Sequence, residues 1–361
     1  MHSADSFSAD YAEARTKFVA AVENAKGERD SYEHPDKGPA SQELWTDVAW
    51  FGPRDAERVL VTISGTHGVE GYCGSGAQID WLRRGELERV PKGTAIMMIH
   101  AINPYGFAWD RRVTEDNVDL NRNWIDFDES LRPVNREYAE LSELLCPSDW
   151  SDASQQLTNA GLERWIKERG FRPFQQAVSG GQYTHPQGIF FGGARSTWSR
   201  QTQTRILQDH LDDARKVAII DYHSGLGPWG YAERMVPGAR QSDVFKRAAQ
   251  WFGCAITSIA SGSSSSTHAM GDGLSASIAL LPKAEATVVA LEVGTKPVLD
   301  VLQALRADAW LHTHGTVDST AGRAIRKQMR DAFYGNVDDW KGMVAGQSLL
   351  ACRQAIAGLQ Q

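Results

Sequence analysis

Four short segments concentrate the histidines, carboxylates and arginines that hydrolytic chemistry requires. They are residues 64–70 (SGTHGVE), 117–124 (NVDLNRNW), 221–225 (DYHSG) and 290–294 (ALEVG). Two histidines and a carboxylate can hold Zn²⁺ and leave one position open for water. A further carboxylate can move protons, and arginines can bind an oxyanion and an acidic substrate group. The four segments together predict a site for zinc-dependent hydrolysis.

The pair His67 and Glu70 is the first candidate for metal binding. Three glycines flank the pair, so the backbone can turn both side chains towards one ion. Alone, a His-x-x-Glu pair is weak evidence, because it occurs by chance and its histidine is more often a hydrogen-bonded turn residue. His223 supplies the third candidate ligand from a separate strand end, and this context favours metal binding over the structural alternative.

Buried strands are predicted immediately before these segments. Apolar runs indicate strands at residues 58–64, 94–102, 216–222 and 287–293. Helices are predicted at residues 77–87, 134–146, 155–169, 242–252, 298–314 and 338–359. Such alternation predicts a three-layer α/β/α sandwich with a central mixed, largely parallel sheet. Sites in such sheets form at the C-terminal ends of strands, where His67, His223 and Glu292 fall.

Composition argues against two classes of protein, nucleic-acid binders and membrane-spanning proteins. The 361 residues are 42% hydrophobic and carry a net charge of −7, which argues against a nucleic-acid partner because such binders present a basic face. The sequence has no run of 18 apolar residues, so we expect no membrane span. A polar N-terminus and four scattered cysteines predict a cytoplasmic protein. We expect one domain over residues 1–361, with residues 1–40 as an extension and 316–361 as C-terminal helices. The oligomeric state stays open.

The motifs resemble those of the zinc carboxypeptidase superfamily. The resemblance rests on His67-x-x-Glu70, on residues 119–123 (DLNRN), and on the distant His223 and Glu292. The Glu-Val-Gly at Glu292, and the short spacing between the arginine pair and DLNR, are more similar to the succinylglutamate desuccinylase and aspartoacylase branch. Between residues 45 and 315, the chain most resembles a bacterial group described only as a domain of unknown function.

The resemblance implies a metal centre. It implies one Zn²⁺ per chain, bound by His67, Glu70 and His223. Asp119 would accept a hydrogen bond from His67 and fix the tautomer of its ring. Glu292 would act as general base and then as general acid, whereas the structural alternative is a strand-end glutamate paired with Lys296.

The resemblance also implies substrate contacts. Arg112 would polarise the scissile carbonyl and stabilise the oxyanion, and the adjacent Arg111 is an alternative for that role. Asn121 and Arg122 would hold a substrate carboxylate. A solvated basic cluster is the structural alternative for these arginines. The tyrosine that carboxypeptidases place over the substrate is not identified, and the candidates are Tyr183, Tyr222 and Tyr231.

The predicted reaction is cleavage of an amide bond next to a carboxylate. The substrate would be a small peptide or, in the aspartoacylase manner, an N-acyl amino acid. An alternative of another class is a catalytically inactive zinc-binding interaction protein. Residues 225–230 (GLGPWG) match a dinucleotide-binding pattern. The following segment is predicted to be extended, whereas a dinucleotide turn would have to open a helix there.

Overall fold

The computed structural model describes residues 2–128 and 130–361. Eight strands in this part of the chain form one sheet. The strands are Glu28–Lys37 (β1), Glu43–Phe51 (β2), Arg58–Ile63 (β3), Thr94–His100 (β4), Lys216–Gly225 (β5), Ala232–Val236 (β6), Ile256–Ser258 (β7) and Glu285–Gly294 (β8). Their order in the sheet is β1-β2-β4-β3-β5-β8-β6-β7. The four central strands, β4, β3, β5 and β8, run parallel. Antiparallel pairing joins β2 to β4 and β6 to β8.

Twelve α-helices accompany the sheet in the described part of the chain. They are Tyr11–Asn24 (α1), Gly71–Arg83 (α2), Pro104–Ala108 (α3), Arg136–Leu145 (α4), Asp152–Arg169 (α5), Phe171–Ser179 (α6), Trp198–Leu211 (α7), Asp243–Phe252 (α8), Gly273–Leu280 (α9), Val298–His314 (α10), Thr320–Phe333 (α11) and Asp338–Gly358 (α12). None of them is long and apolar enough to cross a membrane.

Helices cover both faces of the sheet, and each face has its own apolar core. Along β5, Ala218 and Ile220 face the core formed with α1, α2, α8, α10, α11 and α12. Val217 and Ile219 face the core formed with α7 and α9. Strands covered on both faces are apolar throughout, which is why the central strands are recognisable in the sequence. The predicted α/β/α sandwich with a mixed sheet is confirmed.

The predicted boundaries were least accurate at α2 and near the N-terminus. Helix α2 begins at Gly71, six positions before the predicted residue 77, because its glycines permit close packing. A Cβ at Gly74 would lie 2.6 Å from the Cβ of Ser64, so packing outweighs the low helix propensity of glycine. Residues 1–40, expected as an extension, contribute α1 to the core and β1 to the sheet edge. β1 is mostly exposed and polar, which hides it from pattern analysis.

Candidate metal centre

The loop after β3 carries the first two candidate ligands. β3 ends at Ile63, and His67 immediately precedes a 3₁₀ turn, Gly68–Glu70, that leads into α2. A Cβ at Gly68 would lie only 2.0 Å from the carbonyl carbon of Gly106, so this position requires glycine. The tight turn places the side chains of His67 and Glu70 in contact.

Strand register brings the other two functional residues to the same place. β5 and β8 are parallel neighbours, and His223 lies directly opposite Glu292. Facing residues on adjacent strands project from the same side of a sheet. The hydrogen bond from the Thr66 hydroxyl to Asp221, 2.8 Å long, fastens the loop after β3 to β5. Both histidines therefore meet at the C-terminal edge of the parallel strands, as predicted.

The three candidate ligands present their donor atoms to one point. The Nδ1 atoms of His67 and His223 are 3.2 Å apart. Glu70 offers Oε1 at 2.8 Å from the first Nδ1 and Oε2 at 3.0 Å from the second. One donor atom from each residue lies within 4.8 Å of the others, and all three residues are buried. In tetrahedral zinc sites with bonds of about 2.0–2.1 Å, two ligand atoms are roughly 3.3 Å apart, so this set fits Zn²⁺.

Two aspartates fix the orientation of the histidine rings. Asp119 lies 3.2 Å from Nε2 of His67, as the motif resemblance implied. Asp221 lies 2.9 Å from Nε2 of His223, a contact that the sequence analysis did not assign. A carboxylate on one ring nitrogen leaves the other nitrogen as the metal donor. The sequence does indicate this contact, because Asp221 precedes His223 by two positions on a strand and the two side chains therefore share one face.

The charges around the histidines also fit a divalent cation. When ionised, the four carboxylates exceed the two guanidinium groups by two negative charges. The carboxylates belong to Glu70, Asp119, Asp221 and Glu292, and the guanidinium groups to Arg112 and Arg122. One Zn²⁺ would balance this excess in a region that water solvates poorly.

The pKa shifts follow from this crowding of charge. Burial would raise the pKa of Glu70, but His67 and His223 hold it below its ordinary value. Burial would likewise raise the pKa of Asp119, which Arg112 keeps well below the usual range. Burial and the carboxylate of Glu70 raise the pKa of Glu292 to about 8. Glu292 thus holds its proton more strongly than Glu70 or Asp119, as a general acid requires.

The two adjacent arginines point in different directions. Arg112 donates to Asp119 at 3.0 Å and to Glu70 at 2.9 Å, and it lines the cleft above the ligands. Arg111 donates to Asp308 and Asn117 and does not line this cleft. The geometry therefore favours Arg112 for the oxyanion. The alternative that Arg111 stabilises the oxyanion is corrected, because its guanidinium group is bonded to the buried carboxylate of Asp308, outside the cleft.

Arg122 is a buried residue of the cleft wall. Its guanidinium group donates to the carbonyl oxygens of Ser179 and Asn121. These bonds use three of the five N–H groups and leave one on each terminal nitrogen for a ligand. The Asn121 side chain accepts from the N–H of Gly273 at 2.7 Å, so its NH₂ group stays available as a donor. Both residues line the cleft, where these donors can reach a ligand.

Tyr183 lies behind the cleft and does not line it. Its hydroxyl donates to the carbonyl oxygens of Arg122 and Met270, so it supports the backbone of the arginine. The expectation that Tyr183 binds substrate is corrected for this reason. The hydroxyl of Tyr222 lies against Ser348, and neither Tyr222 nor Tyr231 lines the cleft. Of the three candidate tyrosines, none covers the candidate ligands in the described structure.

The candidate ligands open into a cleft of about 1250 Å³, a volume that includes space open to solvent. Most of its walls are apolar. On the side of β6 and α9 they are Met235, Pro237, Ile259, Leu274 and Ala290, and on the side of α10 and α11 they include Leu302, Leu305 and Phe333. The Phe190 ring lies 5.2 Å from the guanidinium carbon of Arg112 and 5.5 Å from that of Arg122. A few polar groups among apolar walls are typical of small-molecule sites.

A family described as "Protein of unknown function (DUF2817)" matches residues 7–347. The chain belongs to this family. The predicted relation to a domain-of-unknown-function group is thereby confirmed. No curated protein matches the chain in sequence.

Solved structures with a similar architecture are carboxypeptidases and related proteins. Carboxypeptidase A from Helicoverpa armigera is 11% identical, with a TM-score of 0.48 over 90% of this chain and 73% of that one. Bovine thrombin-activatable fibrinolysis inhibitor, in complex with tick carboxypeptidase inhibitor, is 10% identical, with a TM-score of 0.46 over 96% and 97%. Murein-tripeptide amidase MpaA from Escherichia coli O157 is 15% identical, with a TM-score of 0.35 over 82% and 91%.

Replacing Asp221 with asparagine should weaken zinc binding by about 10- to 100-fold, because the ring of His223 loses the carboxylate that orients it. The measurement is zinc affinity by competition with a chelator. Asp308→Asn is the matched control, since both aspartates are 4% exposed and Asp308 pairs with Arg111 away from the ligands. Equal zinc affinity of the Asp221→Asn and wild-type proteins would contradict the assignment.

Proposed function

We propose that this protein is a zinc-dependent hydrolase that cleaves an amide bond adjacent to a carboxylate group. The observation that carries the proposal is the position of Glu292. It lies opposite His223 across two parallel strands, faces the same cleft as the ligands, and is not part of the ligand set. In a zinc site with three protein ligands and an open position for water, a free carboxylate at this place can act as the general base that amide hydrolysis uses.

Each step of the reaction has a side chain in place. A Zn²⁺ ion held by His67, Glu70 and His223 would supply Lewis-acid chemistry, polarising the scissile carbonyl and lowering the pKa of water at the site. Glu292 removes a proton as the water oxygen bonds to the carbonyl carbon. Arg112 donates to the carbonyl oxygen as negative charge develops there. Glu292 then gives the proton to the amide nitrogen, the carbon–nitrogen bond breaks, and an acid and an amine leave.

Specificity for a carboxylate beside the amide is assigned to Arg122 and Asn121. The side chain of Arg122 is buried at one end of the cleft and has two N–H groups to spare, so a carboxylate can accept both. Gly181 packs against the side chain of Arg122. A buried guanidinium group that binds a carboxylate favours substrates with a free carboxylate beside the amide, either a peptide C-terminus or an N-acyl amino acid.

A non-catalytic interaction protein is the competing proposal of another class. Against it stands the complete set of catalytic groups. An inactive relative has no need to keep a buried glutamate next to a metal site, because burying its charge is costly. The burial of Glu292 is therefore more consistent with catalysis than with a docking role.

The variant Glu292→Gln should retain zinc and its fold but lose about 10²–10⁴ in turnover, since glutamine cannot accept the proton. Zinc content and turnover should be measured on the same preparation. Glu285→Gln is the matched control, because it makes the same substitution at the exposed start of β8. Loss of zinc would make Glu292 a ligand, and full turnover would remove it from the mechanism.

Replacing Arg122 with alanine should chiefly weaken hydrolysis of free-acid substrates and leave their C-terminal amides almost unaffected. Removal of a buried charged partner costs about 2–5 kcal/mol. The measurement is kcat/KM for each acid and its amide. Arg200→Ala is the control, because Arg200 also donates to backbone carbonyls but does not line the cleft. Equal losses on acid and amide would argue against the role.

A further inference from the structure

Two apolar helix faces line part of the cleft. Helix α10 contributes Val298, Leu299, Val301, Leu302 and Leu305. Helix α6 contributes Phe171, Phe174 and Val178. The spacing of three and four residues places each set on one side of its helix. We name the space between them the α6–α10 groove.

The mouth of this groove is uncovered. Phe171 is 39% exposed and Leu299 is 51% exposed, although both are large apolar residues that line the cleft. Apolar side chains exposed at the edge of a concave site indicate a surface that an apolar ligand covers. The groove therefore extends from the candidate catalytic site to the protein surface, and its helix faces are apolar.

The groove begins at the residue assigned to the scissile carbonyl. Leu305 lines a small hollow together with Arg112 and Phe190. The N-terminal end of α9 forms the wall beside the carboxylate. Asn121 is bonded to Gly273, the first residue of α9, and the next residue is Leu274. Arg122 is bonded to Ser179, the last residue of α6, so that end of α6 lies beside the carboxylate. The α10 side of the α6–α10 groove reaches Arg112 through Leu305 and therefore lies on the acyl side of the amide.

The polar residues of α6 that line the cleft are bonded within the protein. The Gln175 amide donates to the carbonyl of Ser265, and the Ser179 hydroxyl donates to the carbonyl of Gln175. A peptide extended along the groove would bring an N–H and a C=O at every residue, and each needs a partner when buried. An alkyl chain needs none, so the α10 side of the groove, whose lining residues are all apolar, suits an alkyl chain better than a peptide.

The charges of the cleft exclude a second acidic group at this position. Arg112 and Arg122 are the guanidinium groups that line the described cleft. Arg122 is taken by the substrate carboxylate, and Arg112 is bonded to Glu70 and Asp119. A dicarboxylic acyl group would place an unpaired carboxylate against leucine and phenylalanine, which is strongly unfavourable.

We propose that the α6–α10 groove binds the alkyl chain of an N-acyl amino acid, so that the substrate is an amino acid acylated with a medium- or long-chain fatty acid. This inference rests on the proposed function. Water adds to the acyl carbon, the carbon–nitrogen bond breaks, and the products are a fatty acid and a free amino acid. Leucine is a suitable amino acid for the test, because Met235, Leu274 and Ala290 form an apolar wall on the carboxylate side.

The first experiment compares kcat/KM of the zinc-loaded protein for N-acetyl-leucine, N-octanoyl-leucine and the tripeptide Ala-Ala-Leu. Each methylene buried in the groove should raise kcat/KM about threefold to fourfold. The octanoyl substrate should therefore exceed the acetyl substrate by at least about 100-fold. A tripeptide or acetyl substrate that is cleaved as well as the octanoyl one overturns the inference and leaves amide hydrolysis standing.

A pair of double variants tests the groove itself. Leu299→Gln with Leu302→Gln should lower the octanoyl-to-acetyl ratio of kcat/KM by at least about tenfold. The control is Leu349→Gln with Leu350→Gln on α12, which likewise joins one half-buried and one exposed leucine outside the cleft. The control should leave the ratio unchanged. An unchanged ratio in the groove variant overturns the inference.

Binding separates this inference from the proposed function. Calorimetric titration of the Glu292→Gln protein should show N-octanoyl-leucine binding at least about 100-fold more tightly than N-acetyl-leucine. Tight octanoyl binding, with no hydrolysis by the wild-type protein, would contradict the proposed function and support the groove. Equal affinity for both ligands would overturn the groove assignment whatever the activity.

Discussion

An excess of buried negative charge is the constraint on which the rest of the site depends. Four carboxylates surround two histidines, and two guanidinium groups neutralise only half of their charge. Burial of unpaired charge is costly, so the arrangement requires either protonation or a cation. Without a cation, the excess raises the pKa of Glu292 to about 8, so a proton on this residue relieves part of it. A divalent ion between the histidines would balance the excess and leave Glu292 free to carry protons, as proposed.

The sheet provides the precision that this arrangement needs. β3, β5 and β8 are parallel neighbours, so their C-terminal ends deliver residues to one edge. Register fixes His223 opposite Glu292, and the alternation of side chains puts Asp221 on the same face. A slip of β5 by one residue would turn Asp221 and His223 to the other face of the sheet, and a slip of β8 would do the same to Glu292. The ligands are therefore set by the backbone, and the aspartates set only the rotation of the rings.

Much of this was predictable, because three of the central strands are continuous apolar runs whose C-terminal ends lie close to His67, His223 and Glu292. The sequence could not distinguish Arg111 from Arg112, since adjacent residues have opposite surroundings that only tertiary contacts reveal. Tyr183 was misassigned for a similar reason, because its loop folds behind Arg122. β1 was missed because it is a polar edge strand. The apolar cleft walls were also hidden, since they combine residues from distant helices.

The most direct test of the account is a crystal structure with diffraction data collected on both sides of the zinc absorption edge. One zinc peak per chain is expected, about 2.0–2.2 Å from Nδ1 of His67, Nδ1 of His223 and a carboxylate oxygen of Glu70. Glu292 should stand outside that shell. A protein grown with zinc that shows no peak there, or a peak bound directly by Glu292, would contradict it.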